Sequence, residues 1–417
     1  LLLTLGALVA FAKRYWDSRL GLLAAALFLS VPTALRIAGW AYVDLALTFY
    51  SFAAFYGVFN WLSAQAYFPQ GEHGAAPARG WLVLAGVFCG ASAFIKYTGL
   101  SCLLSVIVVL LWVLVRKRLR LPQILIGGAV LIGLTLAVAG PWYLKNALVT
   151  GNPIYPLIWG GHGWNEISDR WLLVLGEKKS ALDLLLIPWT LTVLGQQGTV
   201  AYDATVSPVF LLLLPMLLFV RRNTPGIGEL LLVAFVGYVA WVASGAASYG
   251  TFILRGRQLL PVFAPLSLLC AYSLDRMRIW DRATLSLRRT LMMATGLTLA
   301  FGLLAQMLLT IGFEPWSYVT GYRSQDSYLN EYMSLGLHPA RSHMNESMTS
   351  NDKVLMIWEP RGYGCRIPHD ADVLFDNFSQ LLARYGSPEG IVAGLQQEGF
   401  NYVLVNQFIY PWIMDGY

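Results

Sequence analysis

The sequence predicts an α-helical polytopic membrane bundle followed by a small extracytoplasmic α/β domain. Three observations lead there. Of the 417 residues, 57% are hydrophobic and only 12% charged, about half the charge of a soluble domain. The apolar residues fall into ten separated runs, at about 1–12, 20–31, 45–62, 81–95, 100–115, 122–140, 207–220, 230–247, 259–274 and 290–311. After about residue 312 the long runs give way to short strand and helix signals. These patterns assign 1–312 to a transmembrane domain and 313–417 to a soluble one.

The runs are rich in Leu, Ala, Val and Gly and hold no internal charge pair, unlike the buried helices of a soluble protein. Several are shorter than the ~20 residues that cross ~30 Å of hydrocarbon. Their ends must extend into flanking residues, or the helices lie partly in the interface. The 15 Trp and 21 Tyr suit aromatic belts at membrane surfaces.

Orientation follows from the basic residues. Lys13, Arg14 and Arg19, then Arg79, then Arg116, Lys117, Arg118 and Arg120 occupy one alternating set of loops. Arg221 and Arg222, then Arg276, Arg278, Arg282, Arg288 and Arg289, continue it. That set is cytoplasmic by the positive-inside rule. Ten crossings from an outside start return the chain outside, so the tail is extracytoplasmic. The net charge of +6 thus belongs to topology-setting loops and not to a nucleic-acid surface. Four cysteines without a C-x-x-C support neither a disulfide framework nor zinc, and no metal-ligand cluster is visible. The chain starts inside an apolar run at Leu1 without a Met, so a first span and outer loop are expected to precede it.

Three outer segments are more than turns: Pro32 to Asp44, Pro141 to about Val206 with PWYLKN, GNPIYP and ALDLLLIPWTLTVL, and TFILRGRQLLP at 251–261. Asp44 opens the span at 45–62; a carboxylate there can hold a cation or a sugar hydroxyl, act as a base, or simply cap the helix. Lys96 ends a short run just before Tyr97-Thr98-Gly99, where it either snorkels to the headgroups or supplies a point charge for a lipid phosphate. Arg255 and Arg257, one residue apart, would leave one face of an extended segment, suited to clamping a phosphodiester or to anchoring at the interface. Tyr42, Trp142, Tyr143, Lys145, Asn146, Asn152 and Tyr155 combine aromatic rings with amides and so suit a sugar ring, although an interface belt uses the same aromatics. Arg36 either joins this surface or snorkels.

In the tail, DKVLMIW (352–358) and NYVLVNQ (401–407) read as buried strands. Between them SPEGIVAGLQQEGF reads as a helix with Ser387 as N-cap and Pro388 at N1. Glu359, Arg361 and Tyr363 follow the first strand, where a sheet presents ligands or simply turns. No G-x-G-x-x-G or P-loop follows either strand, so nucleotide binding is not supported. The sequons at Asn345 and Asn377 carry little weight.

The ordered landmarks AYVD, IKYTGL, PWYLKN…GNPIYP, IPWTL and RGRQLLPVFAPL, with the α/β tail, resemble the GT-C superfamily of integral-membrane glycosyltransferases. The branch is that of protein O-mannosyltransferases, lipid A aminoarabinose transferases and bacterial RgtA/B/C/D-like proteins. The resemblance implies a GT-C-like bundle in the plasma (inner) membrane. It would transfer a sugar, with inversion, from a polyprenyl- or dolichyl-phosphate donor to a protein, lipid or glycan acceptor. It further implies that Lys96, Arg255 and Arg257 bind the donor phosphate. Asp44 would support a principal acid of the first outer loop that lies before residue 1. Tyr42, Trp142, Asn146 and Tyr155 would contact sugar or acceptor. No cofactor is evident beyond the lipid-phosphate-sugar donor, and the resemblance leaves a divalent metal open. The rival functions are a transporter or flippase of lipid-linked sugars, which would want midplane polar residues and paired repeats, and a non-catalytic membrane scaffold or sensor.

Overall fold

The computed structural model describes residues 1–40, 42–65, 78–117, 119–174, 180–193, 206–219, 224–247, 255–277, 286–332 and 337–408. Arg118, Arg221, Arg222, Arg278 and Arg282 of the basic loops, and 251–254 of the third outer segment, lie outside the described residues. The fold divides into two compact units, one of Leu1–His162 with Lys178–Gln306 and the other of Gly163–Glu177 with Met307–Tyr417.

The first unit is helical. It contains α1 (Leu2–Tyr15), α2 (Ser18–Leu29), α3 (Pro32–Ala38), α4 (Asp44–Ala64), α5 (Ala78–Ile95), α6 (Leu100–Val115) and α7 (Leu121–Thr150). The chain then forms α8 (Glu166–Val174), which belongs to the second unit, before α9 (Ala181–Val193), α10 (Val209–Leu213), α11 (Ile227–Ala247) and α12 (Leu260–Arg276). α13 (Leu287–Phe313) carries the chain across the boundary.

Each of the ten apolar runs contains a helix. Among the described residues six helices are long and apolar enough to cross a membrane alone, and α2 with α3, bent by 78°, makes a seventh if counted as one span. α7 corrects one expected boundary. It does not stop before Pro141 but continues through it to Thr150, where Gly151 in the left-handed conformation (φ 76°) ends it. A proline inside a membrane helix forfeits one backbone bond, which neighbouring groups can make good.

Packing sets the bundle. Phe11, Phe28, Phe52, Phe55 and Phe59 form one buried cluster with Tyr272; the Phe11 and Phe59 centroids stand 5.0 Å apart, tilted by 56°, and such pairs add about 0.5–1.5 kcal/mol beyond burial. A second cluster joins α4, α5, α6 and α7 through Val58, Leu62, Ala85, Cys89, Val109 and Leu131. Small residues let the backbones approach, as membrane helices require. A Cβ on Gly57 would meet Ala85 at 3.0 Å, and one on Gly99 would meet the Ser92 carbonyl oxygen at 1.9 Å.

The second unit holds α14 (Pro315–Val319), α15 (Gln325–Tyr332), α16 (Leu337–Ser347), α17 (Asn377–Tyr385) and α18 (Pro388–Gln397). Its parallel sheet has the order β2 (His369–Asp370), β1 (Val354–Ile357), β3 (Tyr402–Val405). Ser387 caps α18 as the sequence suggests, its hydroxyl accepting from the Gly390 amide at 3.1 Å, with Pro388 in the first turn. β1 is buried throughout. β3 is not the buried strand expected: Tyr402, Val403 and Val405 are each more than 40% exposed, because β3 pairs with β1 alone and stands at the sheet edge. Segment 163–177, read above as part of the second outer segment, packs with this unit. Asn165 donates to Gln380 Oε1 at 2.7 Å, and Ser168 donates to Asp376 at 2.8 Å.

Candidate active site

Asp44, Lys96 and Arg257 are separated widely in sequence but meet at one end of the helical unit. Chain direction explains the meeting. The N-termini of α4, α6 and α12 and the C-terminus of α5 share that end, because α4 and α5 run antiparallel and a short 3₁₀ turn, Tyr97–Gly99, joins α5 to α6. The opposite ends of α1, α6 and α12 carry Lys13 and Arg14, Arg116, and Arg276.

Asp44 stands in the first turn of α4 yet makes no side-chain capping bond; the N-cap is Val43. Its carboxylate is 1% exposed. Oδ1 accepts a hydrogen bond from Lys96 Nζ at 2.9 Å, and Oδ2 faces Arg257 Nε at 3.6 Å. Two cations therefore converge on one buried carboxylate. Arg257 also stacks on Tyr42, its Cζ 4.6 Å from the ring centroid. Tyr42 adjoins Trp40 at 5.7 Å, and Arg36 lies over Trp40 at 4.7 Å. A ladder of cations and aromatic rings thus runs from Arg36 to Lys96, and Trp40 and Tyr42 are both over 40% exposed.

Arg255 is extended and occupies the N-cap position of the 3₁₀ turn Gly256–Leu259 without a side-chain capping bond. Tyr42, on which Arg257 stacks, acts electrostatically on Arg255 as well, while Arg257 faces Asp44.

The sugar-binding candidates take varied positions. Asn146 is buried, and its amide donates to the Tyr97 hydroxyl at 2.9 Å and to the Pro153 carbonyl at 3.4 Å. Tyr97 in turn donates to the Tyr155 carbonyl at 2.8 Å. Asn146 and Tyr155 thereby pin the end of α7 and the turn after it to the residue following Lys96. Asn152, fully buried, holds that turn by donating to the carbonyls of Leu157 and Gly160. Trp142 stands on an exposed face of α7 beneath Lys145, whose Nζ is 4.6 Å from its ring. Among the described contacts none joins Trp142 to Asp44, Lys96 or Arg257.

Two cavities flank the 3₁₀ turn at Gly256–Leu259. One, of about 330 Å³, lies among α4, α6, α11 and α12; Leu47, Tyr97 and Gln258 on its wall neighbour the three charged residues. The other, of about 370 Å³, lies among α9, α10, α11 and α12, with Leu259 and Val262 on its wall, and is apolar apart from Thr192 and Tyr238. Sequence reasoning missed Trp241, which sits in a run that reads as ordinary membrane helix, and Gln258, which lies in the third outer segment beside the more conspicuous Arg255 and Arg257. Among the described residues no group of three His, Cys, Asp or Glu could hold a metal ion.

Residues 1–150 match the dolichyl-phosphate-mannose-protein mannosyltransferase family, a stretch that includes Asp44 and Lys96. No curated protein sequence matches the chain significantly. Its fold is similar to the crystal structure of ArnT from Cupriavidus metallidurans bound to undecaprenyl phosphate, with a TM-score of 0.51 and 15% identity, over 99% of this chain and 75% of that one. The same protein in the apo state aligns with a TM-score of 0.49 and 16% identity, over 97% and 73% of the two chains. Residues 1–150 thus carry a mannosyltransferase family match, and the chain as a whole has an ArnT-like fold.

Proposed function

We propose that this protein transfers a sugar from a polyprenyl- or dolichyl-phosphate carrier to an acceptor at the extracytoplasmic face of the plasma (inner) membrane. The reading rests chiefly on Lys96 and Arg257 converging on the single carboxylate of Asp44. Two cations brought to one point suit a phosphodiester donor and suit still better the phosphate that leaves when the sugar is attacked. The apolar cavity starting at Leu259 and Val262 fits the isoprenoid chain of such a carrier. The undecaprenyl phosphate held by the similarly folded ArnT points to the same class of donor.

Asp44 acts in this reading by position. Both its oxygens face cations in a buried setting, so it fixes the lysine and the guanidinium where the phosphate arrives and is poorly placed to take a proton from an acceptor. Tyr42 holds the arginine plane from the other side. Arg255 lies two residues away as a further phosphate contact. The outer face, and an extracytoplasmic C-terminal unit, follow from the loop charges. The acceptor is a protein, lipid or glycan bearing the attacking group.

The test is transfer from radiolabelled polyprenyl-phosphate sugars by the full-length protein in proteoliposomes. Label moved onto an acceptor supports transfer. Label that crosses the bilayer still joined to its carrier supports a flippase and removes this reading.

A further inference from the structure

Three residues on the wall of the 330 Å³ cavity beside the charged cluster each hold a buried polar atom without a hydrogen bond: Thr98 Oγ1, Trp241 Nε1 and Gln258 Oε1. They come from three separate elements, the 3₁₀ turn after Lys96, α11 and the 3₁₀ turn before α12. A buried polar group left unmatched costs about 1–3 kcal/mol, and three around one cavity are not an accident of helix packing. The indole offers a donor, the Gln258 oxygen needs one, and the Thr98 hydroxyl can do either. An isoprenoid chain meets none of these needs. Sugar hydroxyls, which donate and accept, meet all three.

The neighbouring cavity gives the contrast. No such unmatched atom lines it among the described residues, and its Thr192 hydroxyl already donates to the Pro188 carbonyl at 2.7 Å. Both cavities are largely apolar, and what sets the first apart is its three unmatched polar groups, with Arg257 on the turn between the two walls. Thr98 lies two residues after Lys96 and Gln258 one after Arg257, so a sugar in this cavity would lie beside its own phosphate.

We infer that Thr98, Trp241 and Gln258 form the pocket for the sugar of the lipid-phosphate donor and set which sugar is accepted. This rests on the donor reading above. It gives the donor's sugar to this cavity in place of Trp142 and Asn146, whose side chains lie on an exposed face and in a closed hydrogen-bond pair.

The test compares two ligands on the full-length protein in nanodiscs: bare undecaprenyl phosphate, and a panel of the same carrier bearing mannose, glucose, galactose or arabinose. Gln258→Met and Thr98→Val remove the amide and the hydroxyl with little change of shape, and Thr98→Ser restores the hydroxyl. At least one sugar-bearing carrier should bind more tightly than the bare carrier. Each of the first two variants should weaken that ligand about 3- to 10-fold, the worth of one hydrogen bond, while binding of the bare carrier stays constant; Thr98→Ser should recover the affinity. Equal loss for both ligands would mean a merely structural role and overturn the assignment. So would unchanged binding in both variants, or a panel in which no sugar improves on the bare carrier. Failure of the bare carrier itself to bind would instead bring down the donor reading, and this inference with it.

Discussion

Lys96 Nζ and Asp44 Oδ1 meet at 2.9 Å across 52 residues of sequence, and the two partners differ in burial: the carboxylate is 1% exposed and the lysine 26%. The carboxylate is committed to the protein. The ammonium has one hydrogen directed inward and others for whatever enters from outside, which is the asymmetry an anion site needs.

Removing either cation should therefore affect the donor more than the fold. Lys96→Ala leaves Asp44 facing Arg257, and Arg257→Ala leaves it bonded to Lys96, so neither variant strands the buried charge. We expect kcat/KM for the lipid donor to fall at least 100-fold in each, with thermal stability in detergent little changed. Steady-state kinetics at varied donor concentration, beside a melting curve, checks this; unaltered donor kinetics in both variants would remove the phosphate assignment. Arg257→Lys keeps the charge but loses the planar stack on Tyr42 and should recover only part of the loss.

Asp44→Ala is the opposite case. It removes the carboxylate that Lys96 and Arg257 share in a partly buried site, and breaking such a pair costs about 3 kcal/mol or more. The variant should unfold earlier than wild type, and added polyprenyl phosphate should recover stability by supplying the missing negative charge. Melting curves with and without the lipid test it.

Gly99→Ala should be among the most damaging small changes in the bundle. The new methyl would lie 1.9 Å from the Ser92 carbonyl oxygen, a backbone atom that cannot swing aside, so α5 and α6 must separate. A loss of at least ~2 kcal/mol is expected, measurable as a lowered melting temperature, whereas alanine at Gly128, which meets nothing within 4 Å, should be tolerated.

The tail makes a pH prediction. Burial raises Asp372 from its usual 3.8 to about 6, against the amides of Trp358 and Asn377 that donate to it. With the folded pKa above the unfolded one, the native state holds the extra proton between about pH 4 and 6, so this group's contribution falls as pH rises through that window and is constant above it. The change is on the order of 2–3 kcal/mol. Asp372→Asn should remove it, so wild type should lose stability relative to the variant between pH 4 and 6, seen by hydrogen exchange of β1 in the intact protein. Glu359 works in the other direction. Burial acts to raise its pKa, but hydrogen bonds from Arg361 outweigh this and hold it below the usual range, which is why the comparison must be made with a variant and not read from wild type alone.

Much of this was legible in the sequence because membrane solvation writes itself into composition. Apolar runs located the helices, the end of a short run marked Lys96, and a pair of basic residues one apart marked Arg255 and Arg257. Side-chain partnership was less legible. Asn146 read as free to bind sugar, since nothing in a linear chain says that Tyr97, 49 residues earlier, will take its amide. Pro141 read as a helix end because its cost is judged in water. β3 read as buried from its Val and Leu content, but the sheet stops at that strand, and sheet width is a tertiary fact. Segment 163–177 carries no composition that distinguishes packing with the tail from lying on the bundle.

α7 spans 30 residues and so measures about 45 Å, some 15 Å beyond the hydrocarbon it crosses. Such a rod must lean or project, and its final turns are pinned through Asn146 and Tyr97 to the residue after Lys96. Lean is set by the thickness of the host bilayer. The height of the lysine relative to the headgroups is consequently tied to the lipid in which the protein is embedded, which makes acyl-chain length a dial on how deeply a carrier must rise to be engaged.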